Sequence, residues 1–209
     1  MLKRAKENFA KADTFPLSKE LENGNIQIRQ MRDGEDVLTI GEYKRIDGLT
    51  PDDYKMFFDN WGPASAEINE TCVRVDEVDQ EEGHKVVKME LKFPWPMWNR
   101  MMILTLYPRY DQENDEQIFF FASHGNDAMK TKHWTDHDTA NYCYATQPIA
   151  GWILSPIKEG DQVVATHMWF INCVNVGGNI PDSMVQGNIP ASVGQSMTGT
   201  AAWLRKKKG

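Results

Sequence analysis

The sequence predicts an α+β domain in which a curved antiparallel sheet is covered by a long carboxy-terminal helix. Two observations carry this prediction. Between Thr71 and Val176, runs typical of strands are joined by polar turns too short for crossover helices, which favours antiparallel pairing. From Met184 to Leu204, apolar residues recur at intervals of about four, which is typical of an amphipathic helix.

The amino-terminal part predicts a short helix followed by a hairpin. Extended runs at Asn25–Met31 and Asp36–Ile46 flank Asp33-Gly34, a dipeptide that favours a tight turn. Residues 1–49 are therefore assigned a helix and a hairpin, although they carry no motif.

A second helix is predicted after Thr50. Thr50 offers an N-cap hydroxyl, Pro51 suits the first helical position, and the helix is expected to end near Gly62-Pro63. Its apolar residues would be Tyr54, Phe57 and Phe58.

The central strands are predicted from the alternation of apolar and polar residues. Val87, Met89, Leu91 and Phe93 alternate with charged residues, which predicts one apolar and one solvated face. Further strands are predicted at Met101–Tyr107, Gln117–Ala122, Ala140–Thr146, Trp152–Leu154 and Gln162–Val174.

The last helix contains residues that weaken it. Each of Gly187, Gly194 and Gly199 costs roughly 1 kcal/mol relative to alanine, and Pro190 is expected to kink or restart the helix. We therefore expect a helix that packs closely and can move.

Composition narrows the class of protein. The 209 residues contain no repeat or linker, so a single domain spanning 1–209 is expected. A net charge of −7 disfavours a general affinity for nucleic acid. The chain lacks a 20-residue apolar stretch and an apolar leader, which predicts a soluble cytoplasmic protein. A monomer is expected. Its three widely spaced cysteines are expected to be reduced and buried.

Two motifs carry a family resemblance. Lys92-Phe93-Pro94-Trp95-Pro96-Met97-Trp98-Asn99-Arg100 precedes an apolar strand, and Asn175-Val176-Gly177-Gly178-Asn179-Ile180-Pro181 leads into the last helix. In this order, they resemble the START (steroidogenic acute regulatory protein-related lipid transfer) domain, and most of all its phosphatidylcholine transfer protein branch. The resemblance implies a helix-grip fold enclosing a lipid cavity, and a non-enzymatic carrier of one lipid without a cofactor. A glycerophospholipid such as phosphatidylcholine is favoured, and a sterol is the alternative.

Arg100 is the sharpest candidate for a lipid contact. A buried guanidinium needs an anionic partner, and the next residue is Met101 rather than an acid, so a lipid phosphate becomes an attractive bidentate partner. The alternatives are a distant carboxylate or an outward-pointing side chain.

Other candidate contacts lie on predicted strands. Aromatic rings could wall the cavity or hold a quaternary ammonium group, and buried polar side chains would need hydrogen-bond partners such as a lipid headgroup. Core packing and neighbouring backbone groups are the alternative explanations. These candidates are Tyr142, Tyr144, Trp152, His167, Trp169 and Asn172.

A carrier also needs a lid. The resemblance implies that the polar loop Gly125–Thr139, carrying Trp134, closes the tunnel mouth. The terminal helix is the second candidate, with Met184 and Met197 on its apolar stripe, and Lys206 and Lys207 could contact an anionic membrane transiently. A solvated helix end explains the same lysines.

Three other functions stay open. His133 and His137 beside acidic residues could bind zinc, although the segment reads as a solvated loop. An enzyme or small-ligand receptor on the same fold would use His167 or His133 with an acid as an acid–base pair. A sterol or ceramide sensor looks the same as a carrier at this level.

Overall fold

In the part of the chain that the computed structural model describes, ten strands form one curved sheet. This part comprises residues 2–33, 36–93, 97–123, 127–178, 180 and 182–209, with side chains except at 32, 33, 36, 81, 127, 128 and 182–186. The helices are α1 (Leu2–Phe9), α2 (Asp53–Asp59), α3 (Trp61–Ile68), α4 (Asp127–His133), α5 (Asp136–Asn141) and α6 (Asp182–Lys208). The strands are β1 (Leu17–Leu21), β2 (Ile26–Asp33), β3 (Asp36–Asp47), β4 (Cys72–Glu81), β5 (His84–Leu91), β6 (Arg100–Asp111), β7 (Glu116–Ser123), β8 (Cys143–Tyr144), β9 (Thr146–Glu159) and β10 (Gln162–Asn175).

The sheet is antiparallel, as the alternation predicted. Its strand order is β1-β2-β3-β10-β9-β7-β6-β5-β4, and the short β8 pairs in parallel with β6. The predicted β2–β3 hairpin is present, while its turn residue Gly34 lies outside the described residues. Residues 94–96, Gly125, Asn179 and Pro181 also lie outside them.

The region after β7 differs from the prediction. The expected strand at Ala140–Thr146 is divided among the end of α5, β8 and the start of β9. The expected short strand at Trp152–Leu154 is the middle of the 14-residue β9. Gly151 permits this continuity, because a Cβ there would lie 2.3 Å from the carbonyl oxygen of Phe119 on the neighbouring strand β7.

The helix predicted after Thr50 is two helices. It begins at Asp53, whose carboxylate accepts hydrogen bonds from the amide and hydroxyl of Thr50 at 2.7 and 3.0 Å. α2 ends at Asp59, and Pro63 lies in the first turn of α3. A proline ring is tolerated there because a first-turn amide has no partner within its helix, so Gly62-Pro63 does not end the helical region.

Helices cover both faces of the sheet. α2, α3 and α6 lie on the concave face, where the largest group of buried apolar residues includes Phe57, Trp152 and Met197. α1 lies on the convex face, where the Phe9 ring stacks on Trp169 with centroids 5.0 Å apart. α4 and α5 lie farther along the convex face.

α6 confirms the predicted terminal helix. Its 27 residues continue through Pro190 and span about 40 Å at 1.5 Å per residue. The expected close packing is seen at Gly41 of β3, where a Cβ would lie 2.4 Å from the Met197 sulfur, and at Gly199, where one would lie 3.0 Å from Ile68. None of the helices in the described residues has the length and apolar character needed to cross a bilayer.

Candidate ligand cavity

A cavity lies between the concave face of the sheet and the amino-terminal half of α6. The volume open to the centre of a water-sized sphere is about 410 Å³. α3 and strands β4, β5, β6, β7, β9 and β10 form its walls, and residues 188–196 of α6 form its roof. Most of the lining is apolar, including Met89, Met102, Phe121 and Phe170.

Aromatic side chains cover the concave face of the sheet at one end of this cavity. Phe57 and Phe58 of α2 lie against the indole of Trp152, with centroids 5.4 and 4.8 Å apart, and Phe58 stacks on Phe119 at 3.9 Å. The cavity therefore ends at Trp152.

Two amide side chains face each other in the cavity wall. Nε2 of Gln147 donates to Oδ1 of Asn172 at 2.6 Å, and both residues line the cavity. Gln147 Oε1 and the Trp152 indole N–H are buried, and none of the described residues is their hydrogen-bond partner.

A third feature of the wall is the Cys72 thiol. Burial raises the pKa of this thiol to about 11, so it stays protonated and unreactive at neutral pH. All three cysteines are thiols, as predicted, and Cys143 is only half-buried.

The rim is more polar and carries an exposed tryptophan. Lys92 and Met97, from the connection between β5 and β6, line the cavity, and Lys92 is the only charged lining side chain among the described residues. Trp98, next to Met97, exposes 57% of its surface. An apolar cavity thus reaches the surface beside a large exposed aromatic ring.

Arg100 lies beside this rim but is not among the lining residues. Its guanidinium donates to the carbonyl oxygens of Val176 at 3.0 Å, Gly177 at 3.2 Å and Trp98. It also lies 4.6 Å from the centroid of the Phe93 ring. Burial lowers the pKa of the guanidinium from its usual value, and no carboxylate of the described residues forms an ion pair with it.

Arg100 therefore joins the two sequence motifs. Trp98 belongs to the motif before β6, whereas Val176 and Gly177 belong to the motif after β10. The partner predicted for Arg100 was a lipid phosphate, whereas in the structure backbone carbonyls accept its hydrogen bonds. The phosphate contact stays a prediction.

The other predicted lipid contacts are divided between the two faces. Trp152 and Asn172 line the cavity. Trp169 lies on the convex face under α1, and His167 lies beside it, with ring centroids 5.5 Å apart. The His167 Nε2 lies 3.0 Å from Glu42 Oε1, and this contact lowers the pKa of the Glu42 carboxyl.

Tyr142 and Tyr144 do not line the cavity either. Tyr144 packs with Trp134 and the convex-face residues Val86 and Ile103. Tyr142 caps the end of α5, where partial burial and the neighbouring Glu90 raise the pKa of its phenol.

The predicted loop lid is two short helices on the convex face. α5 begins with a capping box in which Thr135 and Asp138 exchange side-chain and backbone hydrogen bonds. Asp138 also holds Lys88 of β5 at 2.6 Å, and the Trp134 indole donates to Thr139 at 2.9 Å. None of the described residues between 127 and 139 lines the cavity.

Three of the four predicted residues of α6 lie apart from the cavity. Met197 is fully buried against Gly41, while Lys206 pairs with Glu67 at 3.0 Å and Lys207 lies over the Trp203 ring. The Met184 side chain lies outside the described side chains.

The histidines proposed for other chemistry lie away from the cavity. His133 Nε2 is 3.0 Å from Asp79 Oδ2, and neither His133 nor His167 lines the cavity. Among the described residues, no cluster of three histidine, cysteine or acidic side chains could hold a metal ion.

Sequence reasoning missed Gln147 and the helix residues that wall the cavity. Phe57 was assigned to an apolar helix face without a role, and Trp61 was not considered. Their signal was present, since large aromatic side chains on a helix that covers a curved sheet necessarily point into its interior.

Solved structures of similar fold include lipid-transfer proteins. Human STARD10 superposes with a TM-score of 0.74 at 11% identity, over 97% of this chain and 78% of that one. Human StAR-related lipid transfer protein 5 gives 0.73 at 10% identity, over 99% and 96%. A STAR-related lipid transfer protein from Xanthomonas axonopodis gives 0.70 at 13% identity, over 91% and 98%.

These likenesses define the class of fold. The chain has the helix-grip fold of START domains: a curved antiparallel sheet with a carboxy-terminal helix across its concave face. No protein-family profile and no curated protein matches the sequence.

Proposed function

We propose that this protein is a START-like lipid carrier, formed by residues 1–209 as one domain, which holds one lipid in the cavity under α6 and transfers it between membranes. The observation that carries the proposal is the apolar cavity roofed by residues 188–196. The proposal is supported by the shared fold of proteins that are named for lipid transfer.

The energetics of lipid transport fit an enclosed site. A two-chain lipid exposes around 30 methylenes, and each costs about 0.8 kcal/mol in water, or roughly 24 kcal/mol in total. A carrier must shield these groups until it reaches a membrane. Phe57, Trp61, Met89 and Phe170 provide such an apolar surface.

In this proposal, the lid is the amino-terminal half of α6 together with the connection between β5 and β6. Both border the cavity, and Pro190 removes one backbone hydrogen bond from the helix at this point. The exposed Trp98 is the proposed membrane contact, because an indole is favourable at a bilayer interface. The carrier would then act in the cytoplasm with transient peripheral membrane contact.

A vesicle-to-vesicle assay tests the function. Donor vesicles carry one labelled lipid each: phosphatidylcholine, phosphatidylethanolamine, ceramide or cholesterol. We expect accelerated transfer of at least one lipid and a protein–lipid complex in native mass spectrometry. Absence of both binding and transfer for all lipids would refute the proposal. The phosphatidylcholine arm tests the ligand that the sequence motifs predicted.

A further inference from the structure

Two polar atoms in the cavity wall lack a protein partner although their residues are almost completely buried. Gln147 exposes 7% of its surface and Trp152 exposes 3%. Within the described part of the chain, the acceptor Gln147 Oε1 and the donor Nε1 of Trp152 form no hydrogen bond. Because leaving a buried polar atom unpaired is unfavourable, each is a place where a ligand atom would be bound favourably.

The backbone places Gln147 in the cavity by a local irregularity. Between the pairs Cys173↔Ile149 and Asn175↔Thr146, β10 advances two residues while β9 advances three. This extra residue reverses the alternation of β9 and brings the Gln147 side chain to that of Asn172 on the concave face. The backbone N–H of Gln147 donates to Ser123 Oγ at 2.7 Å, and this hydrogen bond stabilises the irregular backbone.

The described lining residues offer no charged partner inside the cavity for a charged group of a ligand. Among the described lining residues, the one charged side chain is Lys92, which is exposed at the rim. The Arg100 guanidinium is already bonded to backbone carbonyls. A phosphate or carboxylate beside Gln147 would face an acceptor oxygen and no counter-ion, and burying an unpaired charge is far more costly than burying a neutral polar group.

The volume of the cavity also limits the size of the ligand. About 410 Å³ lies in the lower part of the range typical of pockets for drug-sized ligands, roughly 300–1,000 Å³. The cavity therefore suits a lipid with one chain or one compact ring system, and a second acyl chain would need displacement of α6.

We infer that the cavity selects an uncharged lipid with one small polar group, a hydroxyl or an amide, which donates to Gln147 Oε1 beside Asn172. The apolar part of the lipid extends toward Trp152, where the indole N–H can bind a second neutral oxygen if the lipid has one. This inference rests on the proposed carrier function and specifies the ligand of that same cavity.

A series of ligands with the same C18 chain isolates the polar group. The probes are oleyl alcohol, oleamide, oleate, oleoyl-lysophosphatidylcholine and the hydrocarbon 9-octadecene, each competing with the uncharged dye Nile red. We expect oleyl alcohol and oleamide to bind at least tenfold more tightly than oleate and the lysophospholipid, compared at equal free monomer concentrations.

The double variant Gln147→Leu/Asn172→Leu removes both amides, a change that can leave stability nearly unaltered because no partner is left unpaired. We expect its affinity for oleyl alcohol and oleamide to fall about 5- to 30-fold, with 9-octadecene unchanged. The matched control Gln27→Leu removes a side-chain amide from β2, outside the cavity lining, and should keep the wild-type order. Circular dichroism and thermal unfolding confirm that the variants are folded.

The outcomes separate this inference from the function it rests on. The uncharged-ligand inference alone is overturned if oleate or the lysophospholipid binds more tightly than oleyl alcohol and oleamide. It is also overturned if the double variant loses affinity equally for oleyl alcohol and for 9-octadecene. If the vesicle assay shows phosphatidylcholine transfer in that case, the carrier function stands. If no probe binds and no lipid is transferred, both fall.

Discussion

Replacing Arg100 separates a structural role from a lipid contact. In the structure, this side chain bonds the carbonyls of Trp98, Val176 and Gly177 and so joins the connection before β6 to the one after β10. Arg100→Met keeps much of the apolar stem and removes all of these hydrogen bonds. We expect this variant to be destabilised and to lose the order of Trp98 and of residues 176–178.

The magnitude follows from the hydrogen bonds that are lost. Three bonds from a charged donor contribute about 1.5–3 kcal/mol each, or about 4.5–9 kcal/mol together. The variant also avoids the desolvation of a buried guanidinium, the same effect that lowers its pKa, which offsets part of the loss. We expect a net decrease of about 3–5 kcal/mol in the free energy of unfolding.

Urea unfolding and amide hydrogen exchange measure this effect. Exchange should increase at Trp98 and at residues 176–178, while α1 on the opposite face stays protected. The control Arg100→Lys keeps the charge but cannot reach three carbonyls at once, so an intermediate loss is expected. A change below about 1 kcal/mol, combined with selective loss of phospholipid binding, would refute this reasoning and support the phosphate contact predicted from the motif.

Three other predictions follow from the same geometry. Met89→Trp should fill the cavity and abolish lipid binding measured by native mass spectrometry, whereas Met89→Leu should bind normally; full occupancy in the tryptophan variant would contradict the cavity assignment. Trp98→Ala should slow transfer between vesicles at least fivefold without altering binding in solution, and an unchanged rate would exclude its proposed membrane contact. Hydrogen bonds from Asn114 and Lys6 lower the pKa of Asp111 to about 2 from its ordinary value of 3.8, so the stability that they provide is present above about pH 4 and is lost as the pH falls toward 2. The protection factors of the α1 amides, corrected for the intrinsic exchange rate at each pH, should therefore fall between pH 4 and 2, and Asp111→Asn should remove this step; an identical profile in the variant would show that another group titrates.

The main elements could be predicted from the sequence because periodicity is a local property. The alternation in β5 and the spacing of four in α6 depend only on which residues face the core. The two helices after Thr50 were less predictable, since Pro63 is compatible with both the end of one helix and the first turn of the next.

The candidate site was harder to predict because the facing of a strand residue depends on distant pairing. A single irregularity between β9 and β10 turns Gln147 inward, and its one local signal is the neighbouring Pro148, because a proline within a central strand is typical of a bulge. Likewise, a phosphate was predicted as the partner of Arg100. The sequence shows which acidic residues are adjacent, but it does not show which backbone carbonyls lie nearby in the fold. The helix α5 had a visible signal, the Thr135-x-x-Asp138 capping box, which the loop prediction overlooked.

α6 is held much more firmly at one end than beside the cavity. Met197 fits against Gly41, and Lys206 and Lys208 form ion pairs at 3.0 and 2.8 Å, whereas residues 188–196 border the cavity. If this half of α6 acts as the proposed lid, its amino-terminal end would move while the carboxy-terminal end stays in place, so a lipid would pass near Trp98 and not near the chain terminus. The part of the lipid that enters first would then come to rest at Trp152 and leave last. Loading and unloading would thus be mirror-image sequences through the same doorway.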